Sequence, residues 1–184
     1  MNEKDILKLV ESDKWMMTAL EAVRSIHLPD WWIVAGFLRA KVWDHLHGYT
    51  RRTLPGDIDV VYYQPDRVVD RDHEAEVRLM AIAPAYPWEV FNQARMYTYN
   101  NHQPYLNTVD AFSRWAETVS TIGIRLNDDD LLELAAPHGI QDLVKMVIRP
   151  TPHPDANLEI FKQRLRTKGW IERWPMVRVS TRLY

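Results

Sequence analysis

Apolar residues recur at helical spacing from the start of the chain. Ile6, Leu9, Val10, Met16, Met17, Leu20 and Val23 stand among Glu and Lys. That period predicts a helix over residues 3–26, stopped by Pro29. Trp31 to Ala35 is a short apolar run between Asp30 and Gly36, the pattern of a buried strand. Leu38, Val42 and Leu46 give the next segment one apolar helix face, and Gly48 ends it. Tyr49 to Gly56 is a loop, and Ile58 to Tyr63 favours a strand. Asp66 to Ala83 reads as a helix with Val69, His73, Val77 and Met80 along one side. Pro84 and Pro87 bracket a turn before a third strand, Trp88 to Phe91. Residues 92–103 are polar and aromatic and show no period. Thr108 to Val119 is expected to be helical with Phe112, Trp115 and Val119 inward, and Thr121 to Leu126 alternates like a strand. Asp128 to Asp130 form an acidic turn. His138 to Ile148 reads as a helix. A stiff link at Pro150, Pro152 and Pro154 leads to a last amphipathic helix, Asn157 to Lys168, carrying Leu158, Phe161 and Leu165. Trp170 and Trp174 in the tail are expected to pack back onto the body.

Interleaved helix and strand signals make the chain α/β or α+β, with strand direction left open. Its 184 residues, 46% of them hydrophobic, suit one domain over 1–184. The core is expected over about 27–150, with the C-terminal helix and tail against it. Charge changes the picture little: 23 basic residues face 25 acidic ones with no basic stripe. Duplex nucleic acid is therefore not an expected partner. The absence of cysteine excludes disulfides, thiolate zinc sites and cysteine nucleophiles. The charged N-terminus is not a secretory signal, and no run approaches the roughly 20 apolar residues of a membrane helix. A cytoplasmic protein away from the membrane is expected. There is no P-loop and no Gly-x-Ser-x-Gly elbow. Asp44 and His47 lie one helical turn apart, but no third zinc ligand stands near them.

The candidate chemistry lies between Trp31 and Tyr63. Asp57 and Asp59 are two apart on a strand and so point to one face, their attachment points roughly 6.6 Å apart. Carboxylates at that spacing suit one divalent ion, or a pair of ions about 3.5–4 Å apart. Magnesium prefers such oxygen ligands and bridges phosphates. Gly36, between strand and helix, lets a phosphate approach bare backbone at a helix N-terminus. Arg39, in the first turn of that helix, adds a charged donor.

A glycine after the first strand, a helix, and then Asp-x-Asp on the next strand resemble the nucleotidyltransferase superfamily, with its polymerase-beta-like fold. The stretch AGFLRAKVWDHLHGY followed by DIDVVYY is similar to a small bacterial branch of unknown substrate. So is GIQDLVKMVIRPTP, Gly139 to Pro152. The matching stretches, Trp31 to Arg95 and Gly139 to Pro152, cover about half the chain. The resemblance implies an α+β fold, a mixed sheet flanked by helices. It also implies magnesium-dependent transfer of a nucleoside monophosphate from a nucleoside triphosphate to an unknown acceptor. The third carboxylate of such enzymes matches Glu89, so Asp57, Asp59 and Glu89 would be both catalytic and metal-binding, holding one or two Mg2+ ions. Arg95 is an alternative partner for Glu89. Gly36, Phe37 and Arg39 would meet the nucleotide. Phe37 departs from the Gly or Ser usual after the glycine. It supports a second reading, a catalytically weak or inactive module that binds nucleotide or a partner protein in the manner of an antitoxin.

Overall fold

The computed structural model describes residues 1–65 and 71–180. Helices α1 (Glu3–Glu11) and α2 (Lys14–Ser25) precede strand β1 (Trp32–Val34) and helix α3 (Gly36–Leu46). Then come β2 (Ile58–Tyr62), α4 (Arg71–Ile82), β3 (Trp88–Asn92), α5 (Gln93–Asn100) and α6 (Thr108–Ser113). They are followed by β4 (Gly123–Leu126), β5 (Leu132–Ala135), α7 (Gln141–Val144) and β6 (Val147–Ile148). The chain continues through α8 (Leu158–Thr167), α9 (Trp170–Arg173) and β7 (Arg178–Val179). Five strands form one sheet in the order β3-β2-β1-β4-β5. The β2–β3 pair is parallel and the other pairs are antiparallel, so the sheet is mixed and the fold is α+β.

Alternation sorts the sheet into two faces. Ile33, Ile58, Val60, Tyr62, Trp88, Val90, Ile124 and Leu126 join the main core with residues of α1, α2, α3 and α4. Trp32, Val34, Ala35, Val61 and Phe112 make a second, smaller cluster on the other face. Gly123 is needed there. A Cβ would stand 3.1 Å from Val34 Cγ1 and 3.3 Å from both Phe112 Cζ and Trp32 Cε3. The tail does pack on the body: Trp170 and Trp174 are buried, and Trp174 meets Trp43 of α3 edge-on at 5.2 Å between ring centres.

Four helix expectations need correction. Residues 3–26 are two helices, because the Asp13 side chain accepts the Met16 N–H at 3.2 Å and caps α2 instead of continuing α1. The helix expected over 108–119 stops at Ser113. Beyond it the backbone crosses to the 149–151 segment, with Thr118 N–H donating to Arg149 O and Thr151 N–H to Ala116 O, both at 3.0 Å. Of 138–148 only Gln141–Val144 is helical: Met146 takes φ 54°, and Val147–Ile148 turn into β6, parallel to β7. On α4 the inward face is Asp72, Ala75 and Leu79, whereas Val77 and Met80 are about half exposed, at 50% and 51%, and His73 faces water. Asp72 turns inward because it accepts from Tyr62 Oη at 2.7 Å and Asn92 N at 3.2 Å and pairs with Arg95. Val69 lies outside the described residues. Residues 93–100, which showed no period, form α5 behind an Asn92 cap.

Candidate active site

The turn from β1 into α3 forms one corner of the site. Ala35 adopts φ 51°, ψ −110°, a conformation that favours glycine. Asn2, Asp13, Asn92, Asn107 and Asn157 cap α1, α2, α5, α6 and α8 with side-chain oxygens. Ala35 has none to offer α3. The first N–H groups of α3 thus lack a side-chain acceptor from their cap. Gly36 has an ordinary φ, and a Cβ on it would meet only Arg39 Nη2, at 3.7 Å. The fold itself does not require glycine at this position.

The carboxylates form the adjoining wall. Asp59 of β2 is in register with Glu89 of β3, and parallel neighbours project to the same face. Asp57, two residues before Asp59, shares that face. All three line a cleft of about 1060 Å³ together with Ala35, Phe91, Gln93, Met96, Tyr99, Arg114, Trp115, Leu158, Arg164 and Lys168. Burial, and then the like charges of Asp57 and Glu89, push the Asp59 carboxyl up to about 6. Arg95 belongs to Asp72, leaving Glu89 exposed at the cleft wall and not buried beside an arginine. Among the described residues no three His, Asp or Glu side chains already stand at ion-holding distances. The carboxylates share a wall without being closed into a coordination sphere. Their oxygen donors and mutual repulsion nonetheless fit a hard divalent cation.

The other predicted contacts go elsewhere. Phe37 is only 2% exposed, and its ring packs on Trp15 with centres 5.7 Å apart. Its side chain therefore does not narrow the cleft, which removes the sequence argument for an inactive module. Arg39 does not line the cleft either. It is buried, donates to Ser120 Oγ at 3.0 Å and Val119 O at 3.4 Å, and lies over the rings of Trp43 and Trp170. Burial lowers its pKa to about 10, against the opposing pull of Glu117. Asp44 and His47 make no shared site: Asp44 accepts from Thr53 and Trp174 Nε1, and His47 Nε2 accepts from Met176 N. The wall the sequence reading missed is α8, where Arg164 and Lys168 line the cleft. Their i, i+4 spacing on a predicted helix was visible, but nothing showed which way that helix faced.

A family model described as nucleotidyltransferase matches residues 21–179. The chain belongs to this nucleotidyltransferase family. It is similar over 98% of its length to a structure determined by NMR and described as a CCA-adding enzyme head domain. That likeness has 31% identity, covers 97% of the other chain and gives a TM-score of 0.87. A CCA-adding enzyme complexed with CTP is 17% identical, at a TM-score of 0.59 over 98% of this chain and 44% of that one. The Thermotoga maritima CCA-adding enzyme complexed with tRNA is 18% identical, at 0.58 over 98% and 43%. The chain thus spans less than half of these two enzymes, and the likeness to them is one of fold. No curated protein matches the chain. Among the described residues no helix is long and apolar enough to cross a membrane.

Proposed function

We propose that this family member transfers a nucleoside monophosphate from a nucleoside triphosphate to an acceptor hydroxyl. The observation that carries the reading is the register of Asp59 with Glu89 on one cleft wall, beside Asp57 and the uncapped start of α3. The CTP complex of a similar fold supports a triphosphate donor. In this reading the phosphates rest against Gly36 and the first turn of α3. Asp57, Asp59 and Glu89 would hold Mg2+, as one or two ions. When bound, Mg2+ offsets charge on the phosphate oxygens and lowers the pKa of an attacking hydroxyl. The acceptor oxygen bonds to the α-phosphorus, the α–β bridging bond breaks, and pyrophosphate leaves with that electron pair. Alternatively Glu89, the most exposed of the three, would act as the general base that takes the acceptor proton.

Incubation with α-labelled nucleoside triphosphates and magnesium tests this. The expected result is pyrophosphate release with label on an acceptor or on the protein, abolished in Asp59→Asn. A folded wild type that neither releases pyrophosphate nor binds any triphosphate by calorimetry sinks the proposal.

A further inference from the structure

The cations of the cleft are not equivalent. Arg114 is neutralised by two acids, Asp110 at 2.8 Å and Asp155 at 2.9 Å. Arg164 is held by one, with Nε donating to Glu117 Oε1 at 2.6 Å. Lys168, exposed at the C-cap of α8, has no ion pair among the described residues. Arg164 and Lys168 are four residues apart, on one side of the helix. Both line the cleft that also carries Asp57, Asp59 and Glu89.

Glu117 is fully buried, and its second oxygen, Oε2, has no partner. It attracts Arg39 as well as binding Arg164. Glu117 is thus ion-paired with Arg164, while Arg39 donates its own hydrogen bonds to Ser120 Oγ and Val119 O. Glu117 fixes the Nε edge of Arg164 and Trp170 lies under its guanidinium, with 5.8 Å to the ring centre. A guanidinium clamped along one edge keeps its remaining N–H groups for an oxyanion.

We infer that Arg164 and Lys168 form the wall that holds the β- and γ-phosphates of the donor and then the departing pyrophosphate, with Glu117 as the positioning residue for Arg164. The inference rests on the triphosphate reading above and adds the residues that distinguish a triphosphate from a monophosphate. As the α–β bridging bond breaks, negative charge grows on the leaving oxygens. Arg164 and Lys168 meet that charge.

The test is calorimetric titration of the whole chain, with magnesium, using the four nucleoside triphosphates, their monophosphates and inorganic pyrophosphate. Wild type should bind a triphosphate more tightly than its monophosphate. Lys168→Ala should weaken triphosphate and pyrophosphate by about tenfold and leave the monophosphate unchanged. Arg164→Lys, which keeps charge and loses the fork, should weaken the same two ligands. Glu117→Gln should do so as well, adding nothing further once Arg164 is lysine. Lys168 is solvent-exposed, so its variant answers even where a Glu117 or Arg164 variant folds poorly. Unchanged triphosphate and pyrophosphate binding in Lys168→Ala overturns the wall and spares the transferase reading. Lys168-dependent pyrophosphate binding with no nucleotide binding supports the wall and retires the nucleotide donor. A wild type that binds neither overturns both.

Discussion

On one face of the sheet Ile33, Ile58, Val60, Tyr62 and Ile124 are all fully buried, inside a core that takes in residues of α1, α2, α3, α4, α7 and α8 and the tail tryptophans. On the other face Trp32, Val34, Val61 and Phe112 are buried as a small group, and beyond them the surface opens into the cleft. The β2–β3 pair spans both regimes, since Ile58 and Val60 point one way while Asp59 points the other. Burial on the first face supplies most of the folding free energy, at roughly 25 cal/mol per Å² of apolar surface. The second face can then carry three like charges and a strained Ala35, features that oppose folding locally and suit binding.

The comparison is broken most directly from the core side. Trp43 is fully buried, donates its Nε1 proton to Leu143 O at 3.1 Å and meets Trp174 edge-on. Trp43→Ala is expected to cost about 3–5 kcal/mol, much of a small domain's stability. A urea titration checks it, and a loss under about 1 kcal/mol would mean that the core does not carry the fold. Gly123→Ala probes the other face, where the new methyl group would press on Val34, Phe112 and Trp32. A loss of about 1–3 kcal/mol is expected from overpacking. No loss would show that the small cluster yields easily.

How much was legible in the sequence follows the same division. The strands at Trp31, Ile58 and Trp88, the glycine turn and the Asp-x-Asp were readable because period and residue type agree there with the fold. Residues 66–83 and 138–148 misled for a physical reason. Asp72 turns inward to satisfy Tyr62 and Arg95, and the helix of 138–148 stops where Met146 takes φ 54° and Val147–Ile148 pair with β7, partners that no periodicity reveals. Sequence alone points Phe37 and Arg39 at the ligand, because they stand beside Gly36. The helical twist instead carries Phe37 against Trp15 and Arg39 under Trp170. Arg164 lies 47 residues from its partner Glu117, and such a pair is fixed only by the fold.

Asp59 sharpens the contrast, because its charge works against the fold. The folded carboxyl keeps its proton to about pH 6, whereas its unperturbed value is 3.8. Between those values the folded state binds more protons than the unfolded chain, so stability falls as pH rises and the loss is complete above about 6. Asp59→Asn should therefore stabilise the metal-free protein at pH 7 by about 1–2 kcal/mol, a figure discounted for the carboxylate's partial exposure. The gain should vanish below pH 4. Thermal melts at pH 4 and pH 7.5 check both the sign and the window. A variant less stable than wild type at pH 7.5 would mean that Asp59 has a favourable partner in the folded protein. Magnesium should raise the wild-type melting temperature and leave the variant's unchanged.

Gly36 is where the smallest stability effect should accompany a large functional one. Its φ is ordinary, and a Cβ would touch only Arg39 Nη2 at a normal van der Waals distance of 3.7 Å. Replacing it with alanine restricts the unfolded chain without straining the helix start. Gly36→Ala should thus be neutral or stabilising by up to about 0.5–1 kcal/mol. The same methyl group would stand where a phosphate is expected to approach bare backbone, so triphosphate affinity should fall about tenfold or more. Paired melts and nucleotide titrations of the one variant separate the two demands. Lost stability with intact binding would assign Gly36 to the fold, and intact stability with lost binding would assign it to the ligand.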